Sequence, residues 1–330
     1  MELHLEQLND IVLGSVYAEQ REEGICFHRF TPEEERLYEN RSLYHKVFAP
    51  AGIRLEFETD ATGLELTLNV YHVTSRRYFR ADILKDGKML GGIQNYPDTV
   101  ENGSYPAGTY PLGIHSGSFD LGDGIKKITV QLPWSVSCAI RRFVLPGATF
   151  VKPLKRQKKA LIYGDSITQG YDALIPSKAY SVRLCDYWQA EGINKAIGGE
   201  CYCPDLAAVP CGFQPDYVLS AYGVNDWHQL TQPVFEDRCR RFWSSLCTNY
   251  PDAKKYALMP IWFIPTRETA FGPFEDLITT IYRVMADFPQ VTLIRGWDLV
   301  PHDPAFFGDA RLHPNDKGFD EYFRNLIREL

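Results

Sequence analysis

The hydrophobic rhythm of this chain changes once, near residue 153, and that change limits the available folds more than any other feature. Ahead of it, apolar residues recur at every second position. In "GIRLEFE", Ile53, Leu55 and Phe57 alternate with Arg54, Glu56 and Glu58. In "LELTLNV", Leu64, Leu66, Leu68 and Val70 alternate with Glu65, Thr67 and Asn69. "KITVQL" repeats the pattern with Ile128, Val130 and Leu132. A period of two sends successive side chains to opposite faces, the mark of half-buried strands. Gly, Pro, Asn and Asp gather between the runs, in "KDGK", "NYPDTVENGSYPAG" and "HSGSFDLGDG". Short strands joined by such turns predict an antiparallel β-sandwich, jelly-roll-like, over residues 1–152.

Past Pro153, short apolar runs take turns with stretches of helical spacing. The runs are "KKALIYG", "INKAIGG", "PDYVLSAYG", "KKYALMPIWFI" and "VTLIRGW". The helical stretches include "AYSVRLCDYWQAEG", "VFEDRCRRFWSSLCTNY", "FEDLITTIYRVMADF" and "NDKGFDEYFRNLIREL". This alternation predicts an α/β domain over residues 153–330, a five-stranded parallel sheet with helices on both faces. The basic stretch "VKPLKRQKK", 151–159, reads as a linker or a surface-hugging segment. A length of 330 residues is more than one core usually serves, which also asks for two domains.

The charge balance removes some partners. A net charge of -7 and a pI near 5.7 argue against nucleic acid and against an anionic membrane surface. No apolar run approaches the ~18 residues needed to span a bilayer. "MELHLEQLND" has neither the basic start nor the apolar stretch of an export signal, so a cytoplasmic location is expected. The eight cysteines are then expected to be reduced. "CYCPDLAAVPC" lacks zinc-knuckle spacing and a paired histidine, and buried thiols are the better reading. No metal or organic cofactor is expected.

The candidate chemistry sits at the ends of the predicted parallel strands, where open α/β sheets collect reactive groups. "LIYGDSITQG" places Ser166 just past the first strand. "IGGE" places Gly199 after the second, "YGVND" places Asn225 after the third, and "DARLHPND" places His313 after the fifth. A serine hydroxyl needs a base to take its proton and donors to hold the oxyanion formed on attack. Taken singly, each piece has a structural reading. Asp165 or Ser166 would cap a helix, Gly199 would be a turn glycine, Asn225 and Asp226 would be loop and cap residues, and His313 would lie on the surface. Four such residues falling in strand order point instead to one place above the sheet.

This ordered set, "GDS" at 164–166, "GG" at 198–199, "GVND" at 223–226 and "HPND" at 313–316, resembles the SGNH hydrolase superfamily, also called GDSL-type esterases. The resemblance covers about 160 to 330. It implies a three-layer α/β/α hydrolase domain with Ser166 as nucleophile and His313 as general base. It implies an oxyanion hole formed by the N–H of Ser166, the N–H of Gly199 and the side-chain amide of Asn225. A β-sandwich ahead of such a domain is similar to the arrangement of certain carbohydrate acetylesterases.

One position departs from the family pattern. The acid usually stands three residues before the histidine, where this chain has Ala310; Asp309 stands four before. A local bulge would bring Asp309 to His313 and complete a triad. Otherwise a backbone carbonyl orients His313 in a Ser–His dyad. The loops past the strands carry Tyr171, Trp227, His228, Gln229, Thr266 and Arg267, aromatic faces beside hydrogen-bonding groups. They suit a sugar ring and a small acyl group, with Tyr171 and Trp227 as the candidate substrate contacts. The expected partner is a small-molecule or oligosaccharide ester, and self-association stays open. A general carboxylesterase, a lysophospholipase-like enzyme and an acyltransferase would use the same residues. The intact Ser166, Asn225 and His313 count against a non-catalytic sugar-binding protein.

Overall fold

Residues 1–97, 108, 110–266 and 269–330 are described by a computed structural model. Arg267 therefore lies outside the described residues. The alternating runs of the first half become antiparallel strands. One sheet joins Tyr17–Arg21, Gly24–His28, Val136–Val144, Gly63–Val73 and Gly113–Asp120 in that order. The other runs Val12–Leu13, Arg54–Thr59, Lys126–Gln131, Arg80–Lys85 and Lys88–Gln94, with Val151–Pro153 beside Arg54–Thr59. Leu64, Leu66, Leu68 and Val70 of the first sheet share one core with Leu55, Phe57, Ile83, Ile128 and Val130 of the second. Removing these alternate side chains from water on both sheets is what holds them face to face.

The second half forms a five-stranded parallel sheet in the spatial order Ala190–Asn194, Lys158–Gly164, Tyr217–Ala221, Lys254–Leu258 and Val291–Ile294. Helices cover it. Tyr180–Trp188 packs on Asp316–Leu326, with Tyr180 stacked on Tyr322 at 4.2 Å, and Gln232–Asn249 packs beside Phe274–Met285. The first strand of this sheet in sequence, Lys158–Gly164, lies between the second and third, Ala190–Asn194 and Tyr217–Ala221. Connections leave it in opposite directions there, opening a crevice at the carboxyl ends.

Three expectations need correction. The segment 151–159 is no plain linker. Its first residues pair antiparallel with the sandwich strand Arg54–Thr59, and its last residues open the parallel sheet at Lys158. The helix expected through residue 192 stops at Trp188, where Gln189 turns left-handed at φ 54°. The second strand is Ala190–Asn194, earlier than the apolar run suggested. It lies at the sheet edge, so Glu191 and Gly192 are half-buried and break the continuous apolar run expected of a central strand.

The two halves share a polar and apolar seam. Phe30, Tyr38 and Val47, from the first half by sequence, pack into the core of the α/β domain. Beside them the fully buried Lys195 and Glu34 form an ion pair. The buried Arg29 donates to four backbone carbonyls: Ala49 at 2.6 Å and Lys46 at 3.2 Å on one side, Asn194 at 2.5 Å and Ala196 at 2.9 Å on the other. It has exchanged water for these carbonyls, and burial pulls its guanidinium down to about 9. Farther along, Arg54 holds Asp186 through two bonds of 2.6 and 3.1 Å.

Candidate active site

The turn after the first strand explains "GDSITQG". The Asp165 carboxylate accepts the N–H of Ile167 at 3.0 Å, capping a one-turn helix Ser166–Gln169, and Gly170 ends it left-handed at φ 108°. Ser166 therefore opens a helix, and its N–H is among those a helix leaves without an internal partner. Burial pushes the Asp165 carboxyl up to about 6, against the pull of the Ile167 N–H. Asp165 thus combines a capping role with a depressed tendency to ionise.

His313 reaches this turn from the far end of the sequence. Its Nε2 lies 2.8 Å from Ser166 Oγ, and its Nδ1 lies 2.7 Å from Asp309 Oδ2. The spacing of four residues works because Ala310 adopts φ 55°. The chain then curls around the carboxylate, and Asp309 Oδ1 accepts the N–H groups of Arg311, Leu312 and His313 at 3.0, 2.7 and 3.1 Å. Burial alone would push this carboxyl up. The bond to His313 and the backbone N–H groups win, and hold it well below the usual carboxylate range. An ionised carboxylate only accepts, so Nδ1 carries the hydrogen and Nε2 presents its lone pair to Ser166.

The loops that carry Asn225 and Gly199, the residues expected in the oxyanion hole, are bonded to the serine turn at Asp165 and Gln169. Asn225, near the start of the short helix Val224–Gln229, places Nδ2 at 3.2 Å from Glu200 O and 3.4 Å from Asp165 Oδ2. Gly199 sits at φ 88°, a conformation that favours glycine. Its loop is pinned on three sides. Gly198 N–H donates to Gln169 Oε1 at 2.8 Å, Lys46 Nζ donates to Gly198 O at 2.7 Å, and Gln229 Nε2 donates to Gly199 O at 3.1 Å. Asp226 turns inward, accepts the N–H of Tyr202 at 3.0 Å, and is pushed by burial up to about 7.

Both expected sugar contacts are buried. Tyr171 lies beside the catalytic candidates, its ring 5.4 Å from that of His313 and 5.1 Å from that of Trp134, but it is 5% exposed. Trp227 is turned inward. It is 4% exposed, packs against Phe263 and Phe274, and donates its indole N–H to Gly272 O at 2.9 Å. It lies on the inward face of a helix the sequence rhythm did not announce. Thr266 faces the histidine loop, accepting from Arg311 Nη1 at 2.8 Å. Cys201 and Cys203 are buried thiols.

Several groups at the site carried no sequence signal. Lys46, Arg76 and Tyr78 come from the first half, and Asp172 follows Tyr171. Asp172 is buried, with its Oδ2 at 3.8 Å from His313 Nδ1. Among the described residues, Asp172, Asp309 and His313 are the one group whose donor atoms gather closely enough for a metal. Their hydrogen-bond partners are protein groups on every side. No described helix is long and apolar enough to cross a membrane.

Residues 162–320 match the model of the GDSL-like lipase/acylhydrolase family. No curated protein matches the chain by sequence. Solved structures resemble it over both halves. A salicylyl-acyltransferase from a tetracycline biosynthetic pathway superposes with a TM-score of 0.74 at 16% identity, covering 96% of this chain and 93% of that one. A family two carbohydrate esterase from Clostridium thermocellum, in complex with cellohexaose, gives 0.66 at 15%, covering 96% and 97%. An acetyl xylan esterase from the rumen bacterium Butyrivibrio proteoclasticus gives 0.62 at 11%, covering 99% and 96%.

Proposed function

We propose that this carboxylic ester hydrolase, whose residues 162–320 belong to the GDSL-like lipase/acylhydrolase family, removes short acyl groups, acetyl above all, from carbohydrates through an acyl-enzyme on Ser166. The observation that carries the reading is the continuous line Ser166 Oγ, His313 Nε2, His313 Nδ1, Asp309 Oδ2, with contacts of 2.8 and 2.7 Å. Nε2 takes the Ser166 proton as Oγ attacks the ester carbonyl. The resulting oxyanion accepts from the N–H of Ser166, the N–H of Gly199 and Asn225 Nδ2, which gives up its long contact to Asp165. His313 then protonates the leaving alcohol oxygen as the acyl C–O bond breaks. Water repeats the sequence in reverse roles, releasing the acid and restoring the serine.

A small acyl group suits the space beside Gly199. Leu43 Cδ2 and Lys46 Nζ stand 3.5 and 3.6 Å from where a side chain there would begin. The cationic and hydroxyl groups around the site favour a polar alcohol portion, and the likeness to the cellohexaose-bound esterase agrees with a sugar. A second reading, transfer of the acyl group to an alcohol in place of water, is favoured by the likeness to the acyltransferase. A panel of p-nitrophenyl esters of rising chain length, then acetylated xylo- and manno-oligosaccharides with and without an added alcohol, separates these. Acetyl esters should give the highest kcat/KM. Ser166→Ala should lose on the order of 10⁴-fold or more while keeping its fold. A steep rise with chain length would replace the acetylesterase reading by a lipase-like one. A Ser166→Ala variant keeping a tenth of the activity would end both.

A further inference from the structure

Behind His313, on the side away from Ser166, a charge pair spans the two halves of the protein. Asp172 follows the catalytic turn with a left-handed backbone, φ 66°, and a side chain that is 1% exposed. Its Oδ1 accepts from Arg76 Nε at 3.0 Å and from Tyr78 OH at 2.9 Å. Its Oδ2 lies 3.4 Å from Arg76 Nη2 and 3.8 Å from His313 Nδ1. One carboxylate oxygen thus stands between a guanidinium of the sandwich half and the imidazole of the α/β half. The Arg76 guanidinium also lies over the Tyr171 ring, 5.3 Å from its centre, and that ring leans on His313. None of these groups is needed to hold Ser166 and His313 together, since Asp309 already orients the imidazole.

We propose that Arg76 is a positioning residue whose charge cancels that of Asp172 at His313, the arginine of the sandwich half balancing a second carboxylate beside Nδ1. The proposal rests on the reading of His313 as the general base. The other charged groups facing His313 are Asp309 on its own loop and Asp165 on the serine turn; Lys46 faces Arg76 from the sandwich half. Two buried carboxylates near one imidazole would favour its protonated form, which cannot take a proton from Ser166. Arg76 offsets one of them. The pair therefore makes opposite predictions for its two members. Arg76→Gln leaves Asp172 uncompensated near Nδ1, so protonation should begin at higher pH. Asp172→Asn leaves the Arg76 cation uncompensated, so protonation should begin at lower pH.

The experiment is the acid limb of kcat/KM for a p-nitrophenyl acetate substrate, together with an NMR titration of the His313 ring identified by its loss in His313→Gln. Arg76→Gln should move the midpoint up by roughly one pH unit and Asp172→Asn down by a similar amount, the usual scale for a charge at this distance. The double variant should return near the wild-type midpoint, and Arg76→Lys, which keeps the charge, should stay there whatever its rate. Rates that fall equally at every pH, with no movement of the midpoint in Arg76→Gln, would mean the pair merely packs the seam. Should Asp172→Asn fail to fold, Arg76→Gln against Arg76→Lys still decides, because that side chain is part-exposed. If the wild type cleaves no ester, the esterase reading falls, while the NMR midpoints still test the pair.

Discussion

Ser166, Gly199, Asn225, Asp309 and His313 all come from the α/β half, whereas the groups that press on them from outside it, Arg29, Lys46 and Arg76, come from the sandwich half. The two contributions are built differently. In the α/β half Ser166, Gly199 and Asn225 sit within a few residues of a strand end, Asp309 and His313 lie in the long loop after Val291–Ile294, and turn chemistry holds them: the Asp165 cap, the left-handed Gly199, the N–H groups curled around Asp309. In the sandwich half long cationic side chains cross the seam and bind backbone carbonyls or a carboxylate. In the proposed reaction the first kind of contribution makes and breaks bonds. The second fixes where the first kind stands. If that division is right, substitutions in the α/β half should cost rate with little stability, and those in the sandwich half should cost stability and placement.

After the loss of Ser166 itself, the largest effect expected on the α/β side is that of Asp309→Asn. The amide oxygen can keep the three backbone N–H bonds, so the loop should hold. Its NH₂ then faces the Nδ1 hydrogen of His313, donor against donor. The imidazole answers by moving its proton to Nε2, which can no longer accept from Ser166. A loss of about 10⁴ in kcat with a near-unchanged melting temperature is expected. A loss under tenfold would show that the backbone alone orients His313, and would erase the distinction drawn for this half.

Arg29→Met tests the other side. The replacement is of similar length and apolar, but it leaves the carbonyls of Lys46, Ala49, Asn194 and Ala196 without their buried donor. At about 1–3 kcal/mol for an unsatisfied buried polar group, with partial relaxation, the fold should lose roughly 3 kcal/mol or more. The urea midpoint measures this. Because Asn194 and Ala196 lead into Gly198 and Gly199, kcat should fall as well. A loss below about 1 kcal/mol would mean that the two halves stand independently at this seam.

The same division governs what the sequence could reveal. The places of Ser166, Gly199, Asn225 and His313, each past the carboxyl end of a parallel strand, were legible because they follow from local signals: a cap, a glycine, the end of an apolar run. The order of these pieces along the chain then implied convergence. Asp309 was half legible, since its reach depends on one backbone angle at Ala310 that no residue type announced. Trp227 was misread because its burial depends on the facing of the short helix Val224–Gln229, which has too few residues to show a period. The second strand was shifted because an edge strand lacks the unbroken apolar run of its central neighbours. Lys46, Arg76 and Asp172 had no local mark at all. A lysine or arginine in a sandwich loop looks like a solvated charge until the tertiary fold brings it against the other domain.

The smallest effect concerns Ala310, where the two kinds of contribution meet in one residue. It is an α/β loop position with no functional group, yet its φ of 55° lets Asp309 reach His313 across four residues. A side chain at positive φ costs of order 1 kcal/mol, and glycine pays nothing there. Glycine also loosens the unfolded chain, which offsets a similar amount. Ala310→Gly should therefore leave the melting temperature within about 2 °C, and kcat within about twofold, because the three N–H groups on Asp309 still define the curl. Ala310→Val should behave differently. A β-branched residue is poorly accommodated at this φ, so the loop should reopen, cost roughly 1–2 kcal/mol, and weaken the Asp309–His313 bond. A large rate loss in Ala310→Gly, with Ala310→Val unaffected, would show that the loop is held by the alanine methyl itself and not by its backbone angle.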